Sequence, residues 1–474
     1  MARRRLVRWL FLRAVGVVYL IAFTSLRRQV LGLYGRRGVE PIAPQLRKLR
    51  ARAGRTAYRV APSLLWFGSS DRDLVHACEA GQVCSAALMM GVAPPATTVG
   101  AWALYLSFVS VSRDFLSFQW DALLLETGAH AALVSAGEPS WISAALMRWL
   151  LFRLHFQSGL VKVRSHDPTW RNGTAIAYHY ETQPLPTPVG WYAFHLPRPL
   201  QIASTAATLG IELGAPFLTF GPRRVRKAGF WTLAALQALI AVTGNYAFFN
   251  LLTLAITIWA LDDESLSGLQ RAAPARRPRR RSLPRSIAIL ARVAHGALAG
   301  FVAAASLTTF VRRFSGRALG RALARVSRAV DPFRSINSYG LFAVMTTARP
   351  EVVIEGSDDG RTWREYLFKY KPSRLEDPPR WVAPYQPRLD WQMWFAALGR
   401  PPAWFAVLLQ RLLEGSPEVL RLLGPNPFPD HPPRFVRALL YQYRMTDIAT
   451  KRRTGAWWRR ELIDTYFPAA TLTR

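Results

Sequence analysis

Two cysteines, Cys78 and Cys84, are all that the 474 residues contain. That count excludes a disulfide framework and a cysteine-based zinc site, and leaves both as small apolar packing residues. Acidic residues are few as well, 29 against 62 lysines and arginines. Lysine is scarce beside arginine, as a GC-rich bacterial genome would give. No GxSxG elbow, P-loop, HExxH helix or dinucleotide fingerprint occurs, which argues against lipase or nucleotide-driven chemistry in the chain itself. The formal charge of +33 would suit nucleic acid if it lay in one folded domain. It does not, since no basic helix with interleaved aromatics stands outside the flanks of apolar blocks.

What is abundant is apolar. Half of the residues are hydrophobic and 17 are tryptophan, and apolar blocks recur at lengths near the ~20 residues that span a bilayer. Candidate spans are residues 9–26, 74–92, 97–112, 118–136, 141–163, 201–219, 228–243, 246–261 and 287–311. Arg3, Arg4, Arg5 and Arg8 precede the first, Arg13 interrupts it and no small-residue cleavage site follows, so it reads as a signal anchor.

Basic residues fall between the blocks, where they act as a topology signal. The loop from Gly221 to Lys227, with Arg223, Arg224 and Arg226, and the basic linker 262–285 are therefore expected to be cytoplasmic. Counting spans from there puts 164–200 and 332–474 on the far side. The segment 27–73 should lie on that side too, yet it carries Arg27, Arg28, Arg36, Arg37 and a run from Arg47 to Arg59. That conflicts with the charge rule.

Beyond Asp331 the patterning changes. Two strand-like runs, Glu351–Glu355 and Trp363–Tyr370, flank a Ser-Asp-Asp-Gly turn and read as a β-hairpin. Short helices such as Trp404–Leu413 and Pro-rich loops make up the rest. The expected fold is a multi-pass α-helical membrane protein. Residues 1–331 form a polytopic domain of about six to nine spans, and 332–474 a C-terminal extramembrane α+β domain containing a β-sandwich-like hairpin region.

Asp121 and Glu126 sit inside an apolar stretch, where each costs about 2.5–3.5 kcal/mol at mid-bilayer unless something compensates. If 118–136 and 141–163 form a hairpin turning at 137–140, Arg153 comes within a turn of the position facing Glu126. That pair either fixes helix register or serves function. Lys162 either snorkels to the interface or, partly desolvated, acts as a base. His166 and His179 are candidate assistants, and with His195 they match no metal spacing. Asn245 and Asn250 read as a helix cap or interhelical hydrogen bonds.

FLSFQWDALLLETG at 115–128, DPTWRNGTAIAYHYETQPLPTP at 167–188, ELGAPFLTFGPRR at 212–224 and TGNYAFFNLLT at 243–253 resemble the lipase maturation factor family. So do NSYGLFAVMTTARPEVVIEGSDDGRTWREY at 337–366, PRLDWQMWFAALG at 387–399 and NPFPDHPPRFVRALLYQYRMTD at 426–447. The resemblance covers nearly the whole chain. Departures are His166, where glycine is expected, and Gly128-Ala129-His130 in place of a more apolar run.

The resemblance implies a membrane-anchored factor for folding or maturation of secreted proteins such as lipases, working through its far-side C-terminal domain and needing no cofactor. The membrane would be that of the endoplasmic reticulum, or a bacterial inner membrane if the chain is bacterial. The sequon Asn172-Gly173-Thr174 would matter only in the former. Membrane lipid and secreted clients are the implied partners, with Trp391, Trp394, Trp457 and Trp458 as candidate client contacts if exposed.

A shorter stretch, SGLVKVRSHDPTWRNGTA at 158–175, is similar to the membrane domain of vitamin-K-dependent γ-glutamyl carboxylases. It implies an alternative, an enzyme with a lipid-soluble quinone-like cofactor and Lys162 as base. A third option is an assembly subunit whose outer domain binds envelope proteins or glycans.

Overall fold

The computed structural model describes residues 4–136, 140–269, 285–315, 325 and 328–472. Helices form at each of the apolar stretches: α1 Arg5–Arg27, α2 Asp71–Met90, α3 Pro94–Val109, α4 Gln119–Ser135, α5 Trp141–Arg164, α6 Arg198–Leu218, α7 Arg223–Thr243, α8 Phe249–Thr257 and α9 Arg285–Ser315. Among the described residues, three segments are long and apolar enough to cross a membrane, Arg5–Arg27, Arg223–Thr243 and Gly296–Phe314. The others are shorter or interrupted by polar side chains. The turn residues 137–139 and most of the basic linker, 270–284, lie outside the described residues.

Local chemistry sets the helix ends. Ser70 and Asp73 form a reciprocal capping box at the start of α2, and Gly91 ends it at φ +81°. The carboxylate of Asp263 accepts from the backbone N–H groups of Arg5, Leu6 and Val7 at 2.7, 2.9 and 3.2 Å, satisfying orphan donors at the positive end of α1.

The C-terminal part is a single four-stranded antiparallel sheet of order β2-β1-β3-β4, with β1 Arg349–Ser357, β2 Arg364–Tyr366, β3 Phe435–Met445 and β4 Trp458–Ala470. The hairpin β1–β2 turns on Asp359, whose Oδ1 accepts from Arg361 N–H and Thr362 N–H at 2.8 and 2.7 Å, and on Gly360 at φ +72°. Among the described residues no second sheet faces this one, which corrects the β-sandwich-like expectation. The two longest strands, β3 and β4, also lie where helices and loops were expected. Helices α10 Arg388–Ala397 and α11 Ala403–Leu413 cover the sheet.

One apolar core runs from Val7 in α1 through Tyr105, Trp120 and Leu150 to Trp391, Phe405 and Val436. The C-terminal part meets the helices at one end of the bundle. Gln29 exchanges hydrogen bonds with Gln386 O and Arg388 N–H, Ser416 Oγ donates to Arg37 O, and Asn245 Oδ1 accepts from Val382 and Ala383 N–H. At the other end, Arg4 and Arg148 donate to carbonyls of residues 259–261 and Arg226 pairs with Asp262 at 3.1 Å.

Candidate functional site

Asp121 lies in the first turn of α4 and Glu126 near its middle, and both are 0 % exposed. Five residues apart on a helix, they point about 140° away from each other, so each needs its own partner. For Asp121 that partner is Arg388 of α10, bound through two parallel contacts of 3.0 Å. Arg388 also donates to Phe115 O at 2.6 Å and to the Tyr105 hydroxyl at 3.1 Å. A fork-to-fork arginine–carboxylate pair of this kind adds geometric specificity to its energy.

Glu126 contacts Arg153 of α5 directly. Its other oxygen accepts from Asn337 N–H at 2.8 Å, Asn337 Nδ2 at 3.1 Å and the Tyr339 hydroxyl at 2.6 Å, while Arg153 donates onward to Asn337 O at 3.0 Å. The strap continues with Tyr339 N–H to Gln157 Oε1 at 2.9 Å and Gly340 N–H to Gln119 Oε1 at 3.2 Å. Gly340 runs so close to α5 that a Cβ there would stand 2.7 Å from Val161 Cγ2. Both acids of α4 thus hold the C-terminal part to the helices.

The connection 165–197 continues the seam. Arg349, 0 % exposed, donates to Glu181 O at 2.8 Å, Pro184 O at 2.9 Å and Gln183 O. Its charge is balanced by buried Glu351 at 2.8 Å, which Lys371 also meets at 2.8 Å. Met445 N–H donates to Glu181, Trp394 Nε1 to Thr182 O at 2.8 Å, and His195 bridges Trp191 O and Thr446 O. Asn245, read from the sequence as a cap or interhelical contact, clamps the 380–383 segment instead, whereas Asn250 does bond across helices to Gln237 Oε1 at 2.9 Å.

Lys162 is buried, with Nζ 2.7 Å from each carboxylate oxygen of Glu212 in α6 and 3.3 Å from Ser158 O. All three of its N–H donors are committed, and nothing aims a lone pair at a substrate. His166 is exposed at φ +60° beside Arg171. This left-handed conformation explains why glycine is the expected residue there. His179 is buried, its Nε2 2.7 Å from the Tyr246 hydroxyl, which donates to Gln183 at 3.0 Å. Burial lowers the His179 pKa to about 4, helped by the charge of Lys162. Among the described residues, no group of three or more His, Cys, Asp or Glu is placed to share a metal ion.

The tryptophans differ from expectation. Trp391, Trp394 and Trp458 are 3 %, 6 % and 1 % exposed, because Trp391 packs against Phe118, Trp120 and Tyr246, Trp394 is tied to Thr182 O, and Trp458 packs with Trp191 and Tyr443. None of the three offers an exposed ring. Trp457 is half-buried, stacked edge-on against Trp191 with Lys451 over its ring at 3.8 Å. Sequence reasoning missed Arg388, Arg349, Asn337 and Tyr339. The available signal was that all four lie in stretches carrying the family resemblance.

A helical bundle with helices long and apolar enough to cross a membrane, clamped through its buried acids to a C-terminal part that carries a small antiparallel sheet, defines a class of membrane protein. The lipase maturation factor transmembrane domain family matches residues 6–268, and the lipase maturation factor C-terminal domain family matches 335–468. The chain belongs to the lipase maturation factor family. It is 35 % identical to lipase maturation factor 2 of Homo sapiens, over 100 % of this chain and 84 % of that one. It is 34 % identical to lipase maturation factor 2 of Xenopus tropicalis over 100 % and 83 %, and 31 % to lipase maturation factor 1 of Mus musculus over 98 % and 87 %. No solved structure matches. These families and relatives are not carboxylases, and Lys162 is engaged by Glu212, so the likeness at 158–175 supports no enzymatic reading.

Proposed function

We propose that this protein is a multi-pass membrane maturation factor for secreted lipases, holding residues 332–474 on the exterior or lumenal side. Family membership carries the client class. The distribution of contacts supports the orientation. Connections 28–70, 110–118, 165–197 and 244–248 all touch the C-terminal part, and they alternate with connections at the other bundle end, where the basic loop 221–227 sits. Alternation of this kind is what repeated crossing produces, and the basic loop 221–227 with the arginine-rich linker after α8 assigns that end to the cytoplasm, against the basic segment 27–73 at the opposite end. Two separate domains joined by a linker describe the chain less well than one clamped unit, since the seam uses the buried Asp121–Arg388 ion pair and buried hydrogen bonds to Glu126 and from Arg349 rather than surface contacts.

The buried tryptophans direct the client role to the exposed surface of the C-terminal part. Deleting the gene and measuring both lipase activity and lipase protein in the exported fraction tests the reading. Specific activity should fall while synthesis continues, and an unchanged specific activity would refute it. Protease added to intact spheroplasts or microsomes of known orientation tests the sidedness independently.

A further inference from the structure

The segment between α1 and α2 lies at the same bundle end as the C-terminal part, yet it is strongly basic. Arg47, Lys48, Arg50, Arg52, Arg55 and Arg59 are exposed and have no ion-pair partner among the described residues. No acidic residue occurs between Glu40 and Asp71 to offset them. Charge on this side opposes the usual topology signal, so it calls for another reason.

The helix Ile42–Ala53 is amphipathic. Ile42 and Leu46 are buried in the main core and Leu49 packs beside them, while Arg47 and Lys48 take the opposite face and Arg50 and Arg52 flank the apolar stripe. Gly54, at φ +54° with nothing near it, ends the helix and turns the chain back. Downstream, Tyr58, Val60, Leu64 and Phe67 are 41 %, 55 %, 47 % and 90 % exposed. Their depth is fixed. Ser63 Oγ donates to Ser107 O at 2.9 Å and Leu64 N–H to Ser107 Oγ at 2.8 Å, which ties this apolar group to the last turn of α3, two residues from its end. The neighbouring helices α2 and α3 expose Val83 and Val99 on their own surfaces.

We propose that residues 42–67 form an interfacial element that binds anionic phospholipid headgroups in the exterior or lumenal leaflet, the arginines on phosphates and Leu64 and Phe67 in the acyl boundary. A basic face beside exposed large apolar side chains, anchored at the level of a helix terminus, is the arrangement that lies in a membrane surface. The occupant is lipid, because the apolar half of the patch has no use for a soluble polyanion and the patch is tied to an apolar helix that exposes Val99 of its own. The inference rests on the orientation proposed above.

The test uses the full chain in nanodiscs of neutral phosphatidylcholine alone or with phosphatidylglycerol, and a photo-cross-linking residue at position 67. Adducts at 67 with lipid, together with enrichment of phosphatidylglycerol around the protein, are expected. The variant Arg47→Gln/Arg50→Gln/Arg52→Gln/Arg55→Gln should lose most of that enrichment, because the charges that draw anionic headgroups to this surface are gone. All four side chains are exposed, so folding is preserved, and an unchanged melting midpoint verifies it. Equal enrichment in wild type and variant, solvent adducts only at 67, or displacement by soluble heparin without any lipid preference would each overturn the proposal. An Arg55→Cys variant labelled by an impermeant maleimide reports sidedness. Labelling from the cytoplasmic side refutes the orientation itself, whereas exterior labelling without lipid adducts refutes this inference alone.

Discussion

Replacing Asp121 by Asn should release the C-terminal part from the bundle. Arg388 is 0 % exposed and its guanidinium has four acceptor contacts, two of them on Asp121 at 3.0 Å and the others on Phe115 O and Tyr105. Asparagine keeps the size of the side chain but removes the charge, so a buried guanidinium remains with neutral acceptors. Breaking one side of a fully buried pair costs about 3–5 kcal/mol, mostly through the orphaned charge. The reverse change, Arg388→Met, should cost a similar amount by stranding the carboxylate. The double variant Asp121→Asn/Arg388→Met strands neither, so it should recover at least about 2 kcal/mol of the summed loss. Thermal midpoints in nanodiscs give the energies, and cleavage of 332–474 by dilute protease reports undocking. Single variants costing under about 1 kcal/mol, or a double variant that is simply additive, would refute the view that this pair seats the C-terminal part.

Lys162→Met should destabilise through the stranded Glu212, and Lys162→Met/Glu212→Met should restore both the midpoint and lipase-maturation activity. Continued inactivity in a well-folded double variant would return a chemical role to Lys162. His166→Gly should raise stability by about 1 kcal/mol, by relieving a left-handed backbone that glycine adopts without penalty, as read by chemical or thermal denaturation. Glu40 lies outside the apolar spans, and burial pushes its carboxyl up to about 7, against the lowering hydrogen bond from Arg113 N–H. Because the folded value exceeds the unfolded one, its contribution is fully present below about pH 4.5 and is lost as pH rises through 7. Stability should therefore fall by about 2.5 kcal/mol between pH 5 and 8 on this account. Glu40→Gln should flatten most of that slope, leaving a smaller part from Asp390, which burial raises to about 6. An unaltered slope in Glu40→Gln would remove Glu40 as the cause.

Much of the helical half was legible because its determinants are local. Apolar length is read from neighbouring residues alone, and the structure then ends the helices with equally local devices, Ser70 and Ser140 as caps and Pro94 and Pro199 in first turns. The contact between Glu126 and Arg153 followed from mirror positions in a helical hairpin, which is still local geometry. The hairpin β1–β2 announced itself through its turn. Strand β3 did not, since it is buried on parts of both faces and shows no clean alternation, and β4 carries Arg459, Arg460, Glu461, Asp464 and Pro468, which disguise an exposed edge strand.

Sequence alone settled that apolar blocks of near-span length alternate with basic connections, that two acids sit among them, and that the family resemblance covers both halves. It could not settle what those acids are for. Arg388 stands 267 residues from Asp121, and Tyr339 213 from Glu126. Nothing in the neighbouring residues specifies partners so far away. Only the closed fold does, because a carboxylate withdrawn from water must meet whichever cation or donor the packing brings to it, and here the packing brings the C-terminal part.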